Sequence, residues 1–225
     1  MKNIEKDFLG AIKDSFDAYN KSGARSNKKL IPIHKFLGDF IEESLGKDYC
    51  VKSLGKGGEA KLEGKYYKKT LDITISKKEK ILATISFKFV TSNYKQNGNN
   101  YFEQLMGETA NIRRVNVGFA HFLVLRAHTP YLDKNKGNLR GITKKIEKIN
   151  EKDLMKYIKL FEDLDFPHKP DILGIAIIDI DDIGLPYFVD FTKIGISSKS
   201  EEILKNELSL EKFMARVVAL CQLKS

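Results

Sequence analysis

Two apolar stretches joined by a charged turn constrain the fold of this chain more than any other feature. Residues 69–89, KTLDITISKKEKILATISFKF, alternate between apolar and polar positions, and a period of two predicts β-strands. The apolar positions of one parity are Leu71, Ile73 and Ile75 in the first strand and Ile85, Phe87 and Phe89 in the second. If the strands pair through a turn near residues 76–80, these side chains form a core face, and Asp72, Ser86 and Lys88 lie on the opposite face.

The rest of the chain predicts a mixed β-sheet flanked by helices. The 225 residues, 42% of them hydrophobic, are enough for a single α/β domain spanning residues 1–225. Two helices precede the hairpin, and a helix, a strand, a helix, two strands and a helix follow it, without an internal repeat. No run approaches the about 18 apolar residues of a membrane span, and residues 1–19 have the pattern of an amphipathic helix. We therefore expect a cytoplasmic protein with no membrane partner.

The charge of the chain favours a polyanionic partner. The formal net charge is +9 at pH 7, and nucleic acid is the commonest partner of so basic a protein. Basic residues gather in residues 20–30, 64–69 and 133–145, as in a surface that follows a phosphate backbone. The alternative is a solvated surface that is rich in lysine and binds no polyanion. The glycine-rich segment 55–69 is expected to be a loop that leads into the hairpin, but it lacks the Gly-Lys-Ser/Thr sequence of a phosphate-binding loop.

The polar residues of the hairpin resemble a nuclease motif. Asp72, followed by Ser86-Phe87-Lys88, a helix and a further strand, resembles the catalytic core of the PD-(D/E)xK nucleases, above all the type II restriction endonucleases. The resemblance covers roughly residues 32–132 and implies a restriction-endonuclease-like fold. Leu71 stands where the family usually has proline, and Ser86 stands where it usually has Asp or Glu. In one subgroup with Ser-x-Lys, a glutamate of the following helix takes over as the ligand, and Glu108 in GETANIRR matches that helix.

The resemblance and the chemistry of phosphodiester hydrolysis imply the same roles. The reaction needs charge stabilisation at the phosphoryl oxygens and an activated water, and Mg²⁺ held by one or two carboxylates supplies both. Asp72 and Glu108 would hold Mg²⁺, Lys88 would orient or help to deprotonate the attacking water, and Ser86 would bind a water of the metal. Glu43, at the edge of the apolar stripe of the preceding helix, is a further catalytic candidate. The alternatives are a cross-strand ion pair of Asp72 with Lys88 and a surface position for Glu43.

The helix after the hairpin offers two glutamates for the second ligand. At about 100° per residue, Glu108 falls beside the apolar stripe that contains Tyr101 and Ile112, whereas Glu103 falls toward solvent. A carboxylate at the edge of a buried stripe costs free energy unless a cation compensates it. Glu108 is therefore the expected ligand. A salt bridge from Glu108 to a nearby arginine or lysine is the alternative.

A polar segment beside the hairpin is the candidate for DNA recognition. Residues 92–100, SNYKQNGNN, predict a loop whose amides can pair with adenine and whose lysine can reach guanine or a phosphate. The candidate DNA-binding residues are Asn93, Lys95, Gln96, Asn97, Asn99 and Asn100, together with Arg126 at the end of the next strand. The alternative is a connection that makes no base contacts.

The resemblance therefore implies a type II restriction endonuclease. It would hydrolyse double-stranded DNA at specific sites with Mg²⁺ and without an organic cofactor. Because a symmetric site must be cut on both strands, a homodimer is the expected assembly, with the first or the last helix as its interface. The alternatives are a structure-specific repair nuclease or junction resolvase of the same fold, and a non-catalytic DNA-binding protein.

Overall fold

A computed structural model describes residues 3–23, 26–132 and 143–225. Within these ranges the helices are α1 (Ile4–Ser22), α2 (Ile31–Leu45), α3 (Tyr94–Arg113), α4 (Glu151–Glu162), α5 (Ser198–Asn206) and α6 (Leu210–Leu223). The strands are β1 (Tyr49–Ser53), β2 (Ala60–Glu63), β3 (Lys68–Leu71), β4 (Ile73–Lys77), β5 (Lys80–Val90), β6 (Gly118–Arg126), β7 (His128–Leu132), β8 (Thr143–Lys148), β9 (Ile172–Ile180) and β10 (Pro186–Phe188). Short 3-10 helices span Asn27–Leu30 and Phe191–Ile194.

The main sheet has six strands in the order β1-β4-β5-β6-β9-β10. The pairs β5–β6 and β6–β9 are parallel, and the pairs β1–β4, β4–β5 and β9–β10 are antiparallel. Helix α3 connects β5 to its parallel neighbour β6. The predicted mixed sheet flanked by helices is therefore confirmed.

Helices cover both faces of this sheet. Helices α1, α2 and α6 pack on one face, and their apolar side chains meet Ile85, Phe87 and Phe89 of β5. Helices α3, α4 and α5 pack on the other face. Since side chains alternate along a strand, Ser86 and Lys88 point toward the face that α3 covers. The alternation predicted for β5 is confirmed, but both faces are covered by helices.

The first strand of the predicted hairpin differs from expectation. The chain bends at Asp72, so that β3 ends at Leu71 and β4 begins at Ile73. Leu71 consequently packs with the α3 face, whereas Ile73 and Ile75 pack with the α1 face. The prediction that Leu71 shares a face with these isoleucines is wrong, because the period of two holds only within an uninterrupted strand.

Two segments predicted as loops contain regular structure. Residues 55–69 include β2 and the start of β3, which pair antiparallel as a separate two-stranded ribbon. The polar segment 92–100 is helical from Tyr94 onward, after Asn93 in the left-handed conformation at φ 54°. Its asparagines and glycine disfavour a helix, but the buried ring of Tyr94 packs in the core and overrides that preference.

The described helices include none that is long and apolar enough to cross a membrane. Of the basic segments noted in the sequence, residues 24, 25 and 133–142 lie outside the described ranges.

Candidate active site

Asp72 occupies the bend between β3 and β4, and its carboxylate is fixed by the main chain of β5. Oδ2 of Asp72 accepts a hydrogen bond from the backbone N–H of Phe87 at 2.8 Å. Burial is the largest cause that raises the pKa of Asp72 to about 6, although the hydrogen bond from Phe87 lowers it. The charges of Glu108 and Glu59 raise this pKa further, whereas the Lys69 ammonium lowers it. Asp72 therefore lies within electrostatic reach of a second carboxylate, that of Glu108.

Glu108 comes from α3 and lies over the polar positions of β5. Its Oε2 accepts a hydrogen bond from the Ser86 hydroxyl at 3.1 Å. The side chain of Glu108 is 20% exposed, so solvent reaches it from one side. Glu103, by contrast, is exposed, and its charge acts on Lys156 of α4. Of the two candidate glutamates, Glu108 is the one that lies beside Ser86.

Lys88 completes the group on the same face. Burial is the largest cause that lowers the pKa of Lys88, and the Lys69 charge also lowers it, while the charges of Glu108 and Asp72 raise it. Its Nζ lies 4.4 Å from the centroid of the Tyr101 ring, a cation–π contact that positions the ammonium under α3. The structure thus brings together the residues that we call the acidic-lysine cluster: Asp72, Ser86, Lys88 and Glu108.

Lys69 of β3 joins this cluster, although the sequence pattern does not single it out. Its Nζ forms an ion pair with Oε1 of Glu108, so the salt bridge named above as the alternative role of Glu108 is present. Burial lowers the pKa of Lys69, but the hydrogen bond and the charge of Glu108 outweigh it and leave that pKa raised. Lys69 has the same strand parity as Leu71, which faces α3. Once the bend at Asp72 is known, the alternation of side chains along β3 predicts that Lys69 faces α3 and the cluster.

The donor set of the cluster fits Mg²⁺. Mg²⁺ keeps several waters and takes one or two protein carboxylates, with substrate phosphates supplying further oxygens. Asp72 and Glu108 supply two carboxylates. Burial is the main cause of the raised pKa of Asp72, and repulsion from the Glu108 charge raises it further. A divalent cation would relieve that repulsion. Among the described residues, no group of three or more His, Cys, Asp or Glu side chains is arranged as a metal site. A metal here would therefore depend on these two carboxylates, water and substrate.

His121 is a further titratable group on this face. In the parallel pairing of β5 and β6, His121 stands opposite Ser86. It is buried, and burial, with a contribution from the Lys88 charge, lowers the pKa of His121 to about 3. The imidazole is therefore neutral at physiological pH and adds no charge to the cluster.

Glu43 is not brought to the cluster. Helix α2 packs on the opposite face of the sheet from α3. Glu43 is exposed there and lines a surface groove with Asp39, Glu42 and Lys56. The apolar stripe of α2 correctly predicts that Glu43 lies at the edge of this helix. It does not indicate which face of the sheet α2 covers.

The candidate DNA-binding residues of segment 92–100 lie at the start of α3 and differ in exposure. Lys95, Gln96, Asn99 and Asn100 are exposed, Asn97 is half-buried and Asn93 is buried. Several of them contact neighbouring elements. Lys95 Nζ lies 3.4 Å from Asp153 of α4, Asn99 accepts a hydrogen bond from Lys156 at 3.0 Å, and Asn97 donates to the Asn93 carbonyl at 3.1 Å. From Lys95 to Asn100 these residues are held on a helix rather than on a loop, and Asn93 precedes that helix.

Arg126 lies at the carboxyl end of β6 and is paired with an acidic residue. Its Nε donates to Oδ1 of Asp179 at 3.3 Å. His128 contacts the other carboxylate oxygen of Asp179 through Nδ1. Any contact of Arg126 with DNA would therefore compete with Asp179.

Comparison of the chain with protein-family models, with curated proteins and with solved structures gives no match in any of the three. A functional assignment therefore depends on the side chains of the acidic-lysine cluster and on their arrangement.

Proposed function

We propose that this protein is a Mg²⁺-dependent endodeoxyribonuclease of the PD-(D/E)xK type, and specifically a type II restriction endonuclease. The observation that carries the proposal is the acidic-lysine cluster, in which Asp72, Ser86, Lys88 and Glu108 meet between the β4–β5 hairpin and α3. The elements around it are those on which the resemblance depends: a hairpin, a helix and a strand that runs parallel to the second hairpin strand.

Each residue of the cluster has a role in phosphodiester hydrolysis. Bound Mg²⁺ would supply charge stabilisation at the phosphoryl oxygens and lower the pKa of a water. Asp72, fixed by the Phe87 N–H, and Glu108, fixed by the Ser86 hydroxyl, would hold the ion. Lys88 would orient the attacking water and stabilise the negative charge of the transition state.

The charge of the protein supports a nucleic acid substrate. The net charge of +9 favours a polyanion, and the ammonium groups of Lys69 and Lys88 lie at the cluster itself. Cleavage of both strands at a symmetric site requires two clusters, and a homodimer would supply them.

Digestion of a plasmid of known sequence tests the proposal. We expect discrete fragments in Mg²⁺, none in EDTA, and none from the isosteric variant Asp72→Asn. The mapped ends should share one sequence and carry 5′-phosphates. A smear, or cleavage restricted to branched DNA, would support a repair nuclease or resolvase. Absence of cleavage at stoichiometric protein would overturn the nuclease proposal and leave the non-catalytic DNA-binding alternative.

A further inference from the structure

The tip of the β2–β3 ribbon exposes two tyrosines that are consecutive in the sequence. Tyr66 is 63% exposed and Tyr67 is 46% exposed. Adjacent exposed aromatic side chains on a rigid element mark interaction sites, because water leaves their apolar surface when a partner binds. The basic residues of segment 64–69 favour a polyanionic partner, but they assign no role to Tyr66 and Tyr67.

The main chain of this tip is held rigidly by one buried residue. Asn111 of α3 is fully buried, and its Oδ1 accepts hydrogen bonds from the backbone N–H groups of Tyr66 at 2.8 Å and Tyr67 at 3.2 Å. Its Nδ2 donates to the Tyr67 carbonyl at 3.0 Å, and its own carbonyl accepts from Lys65 N–H at 2.9 Å. A Cβ at Gly64 would lie 2.2 Å from Nδ2 of Asn111, so this approach requires glycine. The two tyrosines are consequently presented in a fixed position.

The surroundings of the tip are basic. Lys61, Lys65 and Lys68 are exposed, and Glu63 is the one acidic residue between positions 60 and 71. Arg114, also exposed, donates to the Tyr66 hydroxyl at 2.8 Å, with its guanidinium 5.8 Å from the ring centroid. Tyrosines set among cations suit a duplex, which offers phosphates to the cations and sugars and base edges to the tyrosines.

The ribbon also leads directly to the acidic-lysine cluster. Lys69, on the inner face of β3, pairs with Glu108, and β3 ends one residue before Asp72. At about 3.3 Å per residue, the five steps from Tyr67 to Asp72 span at most about 17 Å, which is about five base-pair steps of a duplex. A duplex whose scissile phosphate lay at the cluster would therefore be long enough to reach the tip.

We propose that the tip of the β2–β3 ribbon binds duplex DNA beside the cleavage site. Lys65 and Lys68 would contact phosphates. Tyr66 and Tyr67 would enter the major groove, which is wide enough to admit a two-stranded β-ribbon. This inference rests on the proposed function in one respect, since that function places the scissile phosphate at Asp72. It adds a recognition element to the predicted one at the start of α3.

Binding and cleavage measured separately test the inference. The binding assay follows fluorescence anisotropy of a labelled duplex in EDTA, over a series of salt concentrations, with the mapped cleavage site in the duplex where one is found. The variants are Tyr66→Ala/Tyr67→Ala and Lys65→Ala/Lys68→Ala, and Tyr187→Ala is the control because it removes a tyrosine exposed to a similar degree on the edge strand β10. Circular dichroism establishes that each variant is folded.

The two double variants should weaken DNA binding in ways that differ in their salt dependence. We expect the tyrosine variant to weaken binding at least about tenfold with an unchanged salt dependence. The lysine variant should lower the slope of log K against log salt by about 2. Wild-type affinity in both double variants, or absence of DNA binding by the wild type, would overturn the inference. If the wild type binds but does not cut, and the tip variants lose binding, the DNA-binding role of the tip stands, whereas the nuclease proposal and the position of the tip beside a cleavage site fail.

Discussion

The hydroxyl of Ser86 donates a hydrogen bond to Oε2 of Glu108 across 3.1 Å and thereby joins β5 to α3. Ser86 occupies the position at which the resemblance would lead one to expect an acidic residue, and Glu108 is the residue expected to replace it. Ser86 thus supplies no carboxylate of its own but orients the carboxylate of Glu108.

Removal of this hydroxyl should weaken metal binding without abolishing cleavage. A hydrogen bond of this kind contributes about 1 kcal/mol, or about fivefold in an equilibrium constant. We expect Ser86→Ala to need about fivefold more Mg²⁺ for half-maximal cleavage. The control is Ser76→Ala, since the Ser76 hydroxyl donates to the Cys50 carbonyl at the β1–β4 edge, away from the cluster. An unchanged Mg²⁺ requirement in Ser86→Ala would show that the hydrogen bond has no part in metal binding.

The two glutamates of α3 should differ sharply. Glu108→Gln keeps the shape of the side chain but removes the charge that faces Asp72 and Lys69, so we expect cleavage to fall by several orders of magnitude. Glu103→Gln changes an exposed residue on the same helix and should cost much less. Calorimetric titration with Mg²⁺ should give the same order. The assignment fails if Glu103→Gln is inactive while Glu108→Gln still cuts.

Lys69 and Mg²⁺ would compete for the carboxylate of Glu108. We expect Lys69→Met to increase the affinity of the DNA-free protein for Mg²⁺ by about fivefold, since a partly exposed ion pair contributes at most about 1 kcal/mol. Lys68→Met, on the exposed face of the same strand, is the control and should leave this affinity unchanged. Equal affinities in the Lys69→Met variant and the wild type would contradict the competition.

Asp72 should make the metal-free protein less stable at neutral pH. Folding raises the pKa of Asp72 from 3.8 to about 6, so this residue contributes stability below its unfolded pKa and loses that contribution as the pH rises through about 6. The full shift corresponds to about 3 kcal/mol.

The matched variant is Asp72→Asn, which keeps an oxygen to accept from Phe87. In EDTA at pH 8 we expect its free energy of unfolding in urea to exceed that of the wild type by up to about 3 kcal/mol. The difference should shrink toward pH 4. A variant that is less stable by a constant amount at every pH would contradict the burial of an ionised Asp72.

The parts of the cluster that depend on local periodicity were predictable. Alternation along an unbroken strand separates Ser86 and Lys88 from Phe87, and the 3.6-residue period of α3 places Glu108 toward the sheet and Glu103 toward solvent. Both patterns are set by neighbours in the sequence, so no tertiary knowledge is needed to see them.

The parts that depend on tertiary contacts were not predictable. At the bend, the carboxylate of Asp72 accepts a hydrogen bond from the Phe87 N–H, fifteen positions along the chain. The ribbon tip depends on Asn111, more than forty residues from Tyr67. The position of Glu43 depends on which face of the sheet α2 covers. A sequence pattern predicts which residues share one side of a helix or strand. It does not predict which other elements pack against that side.

The most direct test of the account is the single-turnover rate of DNA cleavage by Lys88→Met. Methionine keeps most of the length of the half-buried lysine and removes the ammonium that we place at the attacking water. The matched control is Lys80→Met, which changes an exposed lysine of the same strand. We expect the wild type and Lys80→Met to cut DNA in Mg²⁺ at similar rates, and Lys88→Met to bind the same DNA without cutting it. Cleavage by Lys88→Met at the wild-type rate would contradict this expectation.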